Sequence, residues 1–212
     1  MSKTLRVVVP PHPLIGHWLT LLRDQQTPPA LFTTGMAELG RWLTYEALRD
    51  WLPQRRVMVE TPLASSEGTV VDGAVPMLAI PLLRAGLGLW DGARPVVPQA
   101  QVAHVDSHGD GLPASIPTNT GVLVFAPAVA TGAELLNVLE RLESKGVSGP
   151  RLRVISALTA SPGLKTLGER YGDLTIYTAC IDAELDASQR IVPGLGDVAA
   201  RLYGFASQSS VG

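Results

Sequence analysis

The chain has 212 residues, 46% hydrophobic and 17% charged, which predicts one globular domain, residues 1–212, with a large apolar core. A formal net charge of −2 at pH 7 supplies no general attraction for nucleic acid or an anionic membrane surface, so neither is an expected partner. The apolar run before Pro10 is too short for an export signal or a membrane span, and one cysteine, Cys180, cannot form an internal disulfide, so a cytoplasmic location is expected.

Helical patterns dominate the first 72 residues. Small and polar residues in "LASSEGTVVDG" (63–73) then predict a turn or a hairpin. Two helices are expected before the sheet, with apolar stripes formed by Leu14, Trp18, Leu21 and Leu22 in the first and by Leu39, Trp42, Leu43 and Ala47 in the second.

From Ala74 on, short apolar runs alternate with helical segments, which is typical of an α/β fold with a parallel sheet covered on both faces. We expect "GVLVFA" (121–126) near the centre of this sheet, followed by a helix that begins within a residue or two of Thr131. The predicted strands are 74–81, 100–105, 121–126, 153–160 and 174–181, and the predicted helices are 85–93, 131–146 and 163–172.

Two connections in this half of the chain are candidate functional segments. The loop 106–120 is long, and loops of that length in compact domains are usually functional lids or disordered. The turn 126–132 follows a strand and precedes a helix, where backbone N–H groups often bind phosphate. It lacks the GxxxxGK[ST] pattern, so a nucleoside triphosphatase P-loop is not expected. On this turn alone, an ordinary strand-to-helix connection is the favoured interpretation.

Longer motifs carry a resemblance to a known family. "PLLRAGLGLWDG" (81–92), "ATG" (130–132), and "YTACID" followed by "IVPGLGD" (177–197) occur in the order and spacing typical of uracil phosphoribosyltransferases. The N-terminal "HPLIGHWLTLLRD" and "LTYEA" are also similar to that family. The resemblance therefore covers nearly the whole chain.

The resemblance implies a phosphoribosyltransferase-type fold with an N-terminal helical segment. Members of the family transfer a phosphoribosyl group from phosphoribosyl pyrophosphate, with Mg²⁺, to N1 of uracil, and they release UMP and pyrophosphate. They are commonly dimers or higher oligomers. For this chain the resemblance thus implies small-molecule partners, Mg²⁺ as the cofactor of an active enzyme, and a homodimer.

By this resemblance, Ile191, Gly196 and Val198 are the uracil contacts, and Asp197 faces the ribose or its metal. The glycines of "IVPGLGD" allow close backbone approach, which suits the carbonyl and N–H groups on one edge of uracil. Arg84 is expected to bind a diphosphate through the planar fork of donors of its guanidinium. Arg84 and Asp197 are therefore the candidate catalytic residues, the first for the diphosphate and the second for the ribose or its metal. The structural alternative for "IVPGLGD" is a plain surface loop. For Arg84 it is a surface salt bridge.

The residues expected to bind the phosphoribosyl donor depart from the family pattern. Ala126 stands where the family has an aspartate that accepts from ribose hydroxyls. Ala133 and Glu134 replace the Gly and Ser that donate to the 5′-phosphate, and loop 106–120 lacks the family's arginine. The candidate phosphoribosyl-binding loop consists of Ala126, Pro127, Ala128, Val129, Ala130, Thr131, Gly132, Ala133 and Glu134.

Thr131 and Glu134 have the spacing of a capping box. In that arrangement the Thr131 hydroxyl accepts from the third helical amide and Glu134 reaches back to the Thr131 N–H, so the protein itself would occupy the phosphate position. Arg190, where the family usually has tyrosine, either adds a cation near the base pocket or is an exposed loop charge.

Two hypotheses remain open at this point. The chain is either an active uracil phosphoribosyltransferase that takes its donor contacts from other positions, or a non-catalytic relative that acts through a protein partner or a pyrimidine. Because the changes at Ala126, at Glu134 and in the long loop all concern one substrate, reduced or lost activity is the favoured expectation.

Overall fold

A computed structural model of the protein describes residues 4–204, and its central feature is a seven-stranded sheet. Its strands are all parallel, in the order β1-β8-β7-β6-β4-β5, with β9 added beside the end of β7. These strands are β1 (Arg6–Val8), β4 (Met77–Pro81), β5 (Gln101–Val102), β6 (Gly121–Val129), β7 (Leu152–Ala160), β8 (Thr175–Thr178) and β9 (Ile181–Asp182). Two hairpins lie outside the sheet, β2 (Gln54–Glu60) with β3 (Ser65–Val71) and β10 (Glu184–Leu185) with β11 (Ile191–Val192).

Helices cover both faces of the sheet. Their alternation with the strands, and the central place of β6, confirm the predicted parallel α/β architecture. Alternate β6 residues face opposite sides of the sheet: Leu123 and Phe125 pack with the helices that lie between positions 13 and 93, whereas Val122 and Val124 pack with those between positions 133 and 170. The helices are α1 (Pro13–Arg23), α2 (Pro29–Leu48), α3 (Gly86–Ala93), α4 (Ala133–Ser144), α5 (Ser161–Arg170) and α6 (Val198–Tyr203).

Two predictions for the N-terminal region were wrong. The strand β1 precedes the two helices and pairs with β8, which the sequence pattern did not indicate. Leu14 is 41% exposed, and the buried face of α1 is formed by Ile15 and Leu22 with Trp18 packed beside them. Ile15 and Leu22 are seven residues apart, so they return to the same face after two helical turns, whereas Leu14 is rotated away.

The hairpin predicted around 63–73 is present and is longer than the sequence pattern indicated. The strand predicted over 174–181 is interrupted. Its first half, β8, pairs with both β1 and β7, and its second half, β9, pairs only with the end of β7.

Helices α2 and α3 pack backbone to backbone. A Cβ built on Gly40 would lie 1.9 Å from the carbonyl oxygen of Leu89, and a Cβ built on Gly92 would lie 1.6 Å from that of Ala37. Such distances are possible only because these positions carry no side chain. The contact fixes α3, and with it the turn that contains Arg84, against the N-terminal helices.

Across residues 4–204, no helix combines the length and the apolar character needed to cross a membrane.

Candidate functional site

A cleft of about 430 Å³ opens beyond the carboxyl ends of β4 and β6, where ligands bind in open parallel sheets. It is bounded by the turn after β4, the end of β6, the first turn of α4, and the first turn of α6. All nine residues of the predicted phosphoribosyl loop, 126–134, line it. The other lining residues are Leu82, Ala85, Leu135, Gln189, Gly196, Val198 and Ala199.

The loop 126–134 is held by its own turn geometry and by α5. Gly132 has a φ of 86°, in the left-handed region that glycine adopts without strain, and α4 begins at the next residue. The first turn of α5 supports the loop from below, since a Cβ built on Gly163 would lie 2.3 Å from the carbonyl oxygen of Ala130. The helix start within two residues of Thr131 confirms that prediction.

The predicted capping box does not form. Gly132, not Thr131, is the N-cap of α4, so the Thr131 hydroxyl accepts from the first helical amide, that of Ala133, at 3.3 Å. Glu134 is therefore the second helical residue and not the third, from which a capping-box carboxylate reaches back. Glu134 is exposed and contributes to the wall of the cleft.

The charge of the cleft is unusual for a site that would hold a pyrophosphate. Of the described residues that line it, Glu134 alone carries a charge. Ala126, at 2% exposure, ends the apolar stretch of β6 and offers no side-chain acceptor. The described wall of the cleft is therefore built of backbone groups, mostly small apolar side chains, the uncharged polar side chains of Thr131 and Gln189, and one carboxylate.

Of the residues predicted to contact uracil or ribose, two line the cleft and two lie beside it. Gly196 and Val198 line the cleft. Ile191 pairs with Leu185 in the small hairpin. Asp197 is the N-cap of α6, and its carboxylate accepts from the Ala200 amide at 2.9 Å. The structure thus brings two of the predicted uracil contacts to the loop 126–134.

Arg84 lies at the rim of this region. Its side chain is exposed in the turn between β4 and α3, and its neighbour Ala85 lines the cleft. The backbone carbonyl of Arg84 accepts a hydrogen bond from the Tyr203 hydroxyl at 3.0 Å, which ties the turn to the end of α6. Arg190, by contrast, is an exposed loop charge, paired with Asp186 at 2.8 Å.

A partly buried ion pair in contact with Gly194 was not predicted from the sequence. Asp182, 6% exposed, accepts from both terminal nitrogens of Arg23, at 2.7 and 3.0 Å, and from the Gly194 amide at 3.0 Å. Both residues fall inside motifs that carry the family resemblance, "YTACID" and "HPLIGHWLTLLRD". Their positions in those motifs were the available signal.

This ion pair predicts a pH dependence of stability. Burial alone raises the pKa of the Asp182 carboxyl, but the hydrogen bonds from Arg23 and from the Gly194 amide outweigh burial, so the pKa lies below the ordinary value of 3.8. A lowered folded-state pKa stabilises the folded protein above 3.8, and that contribution is lost as the pH falls through the folded-state value.

We therefore expect the unfolding free energies of the parent and of Asp182→Asn to differ at neutral pH and to converge in acid. Urea unfolding at a series of pH values measures the difference. A difference that stays constant down to the acid end would contradict the assignment to Asp182.

The long loop 106–120 is attached to the body of the protein along its length. Asp110 pairs with Arg141 of α4 at 3.2 Å, and the Asn137 side chain donates to the Ser107 carbonyl. Arg151 donates to the carbonyl oxygens of Pro117 and Thr120. In this structure these contacts hold the loop against α4 and against the turn before β7.

The described residues do not form a metal site by themselves. Among them there is no group of three or more His, Cys, Asp or Glu side chains that could hold an ion. Mg²⁺ usually binds through one or two carboxylates together with substrate phosphates, and the cleft wall supplies the single carboxylate of Glu134.

Solved structures share this fold. A solved protein of Aquifex aeolicus, AQ2163, is similar with a TM-score of 0.82 and 29% identity, over 94% of this chain and 99% of that chain. The orotate phosphoribosyltransferase of Mycobacterium tuberculosis, solved with phosphoribosyl diphosphate, shares the fold with a TM-score of 0.50 and 16% identity, over 80% of this chain and 90% of that one. The predicted phosphoribosyltransferase-type fold is therefore confirmed.

Sequence comparison narrows the class to a family. The family model described as uracil phosphoribosyltransferase matches residues 9–205. The uracil phosphoribosyltransferase of Synechococcus elongatus is 46% identical, over 96% of this chain and 99% of that protein. A chloroplastic uracil phosphoribosyltransferase of Arabidopsis thaliana is 36% identical, over 96% of this chain and 72% of that protein. The chain belongs to the uracil phosphoribosyltransferase family.

Proposed function

We propose that the protein binds uracil in the cleft beside α6 but holds phosphoribosyl pyrophosphate weakly, so that conversion of these substrates to UMP and pyrophosphate is slow or absent. In this proposal it serves pyrimidine salvage at reduced efficiency, or it acts without catalysis as a pyrimidine-binding or regulatory protein. The observation that carries the proposal is the charge of the cleft, in which Glu134 is the one charged residue of the described lining.

The electrostatics oppose the donor. Phosphoribosyl pyrophosphate brings several negative charges to the loop 126–134, where the Glu134 carboxylate repels them. Glu134 is exposed, so salt screens part of this repulsion. Ala126 adds a second loss, since it cannot accept hydrogen bonds from ribose hydroxyls through its side chain.

The part of the cleft proposed to bind uracil departs less from the family pattern than the part proposed to bind the donor. Gly196 and Val198 lie on the same cleft as the loop 126–134. Uracil recognition requires donors and acceptors that a backbone can supply, and glycine allows the backbone to approach a ligand closely. Uracil binding therefore depends little on the side chains that differ from the family pattern.

A specific observation favours the alternative of an active transferase. The relatives that are 46% and 36% identical over nearly the whole chain are named uracil phosphoribosyltransferases. In that case Arg84, at the cleft rim, would bind the pyrophosphate group and Asp197 would face the ribose, with Mg²⁺ brought in by the donor phosphates.

We further propose a cytoplasmic homodimer of single-domain chains. The hairpin β2–β3 exposes large apolar side chains, among them Leu63 at 97% and Met58 at 67%, and such patches often mark protein interfaces. The composition of the chain supports neither nucleic acid nor a membrane as a partner.

Calorimetric titration separates these possibilities. We expect measurable uracil binding and no micromolar binding of phosphoribosyl pyrophosphate, with or without Mg²⁺. UMP formation, measured beside a known family enzyme, is expected to be much slower per molecule. Micromolar donor binding with UMP formation at a rate similar to that of the reference enzyme would contradict the proposal and establish the active alternative.

A further inference from the structure

The segment that leads into the cleft is held at both peptide groups that flank Gly194. The Gly194 amide donates to Asp182 Oδ2 at 3.0 Å, and the Gly194 carbonyl accepts from Arg23 Nη1 at 3.2 Å. Because Arg23 and Asp182 also bind each other through two hydrogen bonds, the three residues form a closed ring of contacts. Neither end of the Gly194 residue can rotate without breaking a charge-assisted hydrogen bond.

The conformation of Gly194 shows that this ring fixes an unusual backbone. Gly194 has a φ of 65°, and a Cβ built on it would lie 2.1 Å from the carbonyl oxygen of Ile191. The turn is thus too tight for a side chain, and it places Ile191 on one side and the cleft residue Gly196 on the other.

A second arginine holds the next residue. Arg201 donates to the Leu195 carbonyl at 2.9 Å, to the Asp24 carbonyl at 2.6 Å and to the Leu22 carbonyl. Its guanidinium lies 4.0 Å from the centre of the Phe32 ring. The end of α1 and the segment 194–195 are therefore joined by two arginines.

We infer that Arg23 and Asp182 are positioning residues, which hold the segment 194–198 in the conformation that binds the pyrimidine. This inference rests on the proposed uracil-binding function. It assigns to the N-terminal helix α1 a role at the site, since Arg23 is its last residue. Neither side chain lines the cleft in the described structure, so both act through the backbone of Gly194.

The geometry indicates that the pair formed by Arg23 and Asp182 holds Gly194 in place, and does not only join α1 to the sheet. An ion pair that only joined α1 to the sheet would need no contact with Gly194. Here the same Asp182 oxygen that accepts from Arg23 Nη1 also accepts from the Gly194 amide. The same Arg23 nitrogen that donates to this oxygen also donates to the Gly194 carbonyl.

The test uses Asp182→Asn and Arg23→Lys in the full chain. Asparagine keeps the size and one acceptor for the Gly194 amide but loses the charge, and lysine keeps the charge but loses the planar fork. Asp50→Asn is the matched control. It breaks another Arg–Asp pair, Arg153 with Asp50 at 2.8 Å, which lies at the opposite, amino end of β7.

The first readout needs no ligand. We expect hydrogen exchange of the amides of 194–198 to accelerate about tenfold or more in Asp182→Asn and Arg23→Lys, relative to the amides of β6 in the same protein. In Asp50→Asn we expect the exchange of both regions to change by the same factor. If exchange of 194–198 changes only in proportion to that of β6 in both Asp182→Asn and Arg23→Lys, the pair only joins α1 to the sheet and the inference is overturned.

The second readout is calorimetric uracil affinity, expected to fall about tenfold in the two variants and to stay at the parent value in Asp50→Asn. Faster exchange of 194–198 with unchanged uracil affinity would overturn the inference as well. If the parent itself binds no uracil, the proposed function fails, and hydrogen exchange still decides whether the pair holds the segment. Should Asp182→Asn fail to fold, Arg23→Lys alone supplies both readouts.

Discussion

Replacing Gly92 by alanine is expected to lower the free energy of unfolding by about 2–3 kcal/mol, the upper part of the range for overpacking. A Cβ at this position would lie 1.6 Å from the Ala37 carbonyl oxygen, which belongs to helix backbone and cannot rotate away. Helices α2 and α3 would have to separate. The gain in helix propensity from Gly to Ala, about 1 kcal/mol at most, offsets only part of this cost.

Gly16→Ala is the matched control, because nothing lies within 4 Å of a Cβ built on Gly16, which is also inside a helix. This control is expected to be as stable as the parent or more stable. Urea unfolding of the three proteins measures the difference. Equal stability of Gly92→Ala and Gly16→Ala would show that the two helices are not in the contact described.

The parts of the fold that could be predicted from sequence are those with a local cause. Strands β6 and β7 are mostly apolar because both of their faces are covered, and they were predicted within three residues at each end. Helix α4 follows a turn with glycine at a left-handed position, and its start was also predicted.

The parts that could not be predicted depend on distant partners. Strand β1 has three residues and becomes a strand only by pairing with β8, about 170 positions later in the chain. The error at Thr131 has a different cause. The sequence matches a capping box, but the positive φ of Gly132 shifts the helix start by one residue, and the spacing no longer fits.

The candidate site likewise has parts that the local sequence predicts and parts that depend on distant partners. The loop 126–134 and the residues Gly196 and Val198 come together because parallel strands bring their carboxyl ends to one edge. The pair formed by Arg23 and Asp182 is separated by 159 positions, and no periodicity of the sequence relates its members.

The final prediction concerns repair of the donor site by Glu134→Ser with Ala126→Asp. We expect the double variant to bind phosphoribosyl pyrophosphate at least about tenfold more tightly than the parent. The first change removes the charge that repels phosphate. The second supplies a charge-assisted acceptor for ribose hydroxyls, and such bonds contribute about 1.5–3 kcal/mol.

The stability cost of the repair falls on the second change. Ala126 is buried, so an aspartate there is partly desolvated and lacks hydrogen-bond donors until the ribose hydroxyls of the bound donor supply them. Serine at 134 costs little, because Glu134 forms no capping box and contributes only its interaction with the helix dipole, about 0.3–1 kcal/mol. Thermal melting of both single variants and of the double variant identifies any loss of folding.

Glu140→Ser provides the control for charge alone, since Glu140 is on the same helix but lines a different depression from the one at the end of β6. Its donor affinity is expected to match that of the parent.

Because positions 126 and 134 lie on one cleft, the effects of the two repair substitutions need not add. Catalysis is expected to stay slow in the repaired protein, because the sequence between Arg94 and Arg141 has no lysine or arginine to stabilise departing pyrophosphate. A folded double variant whose donor affinity equals that of the parent would show that neither Glu134 nor Ala126 limits donor binding.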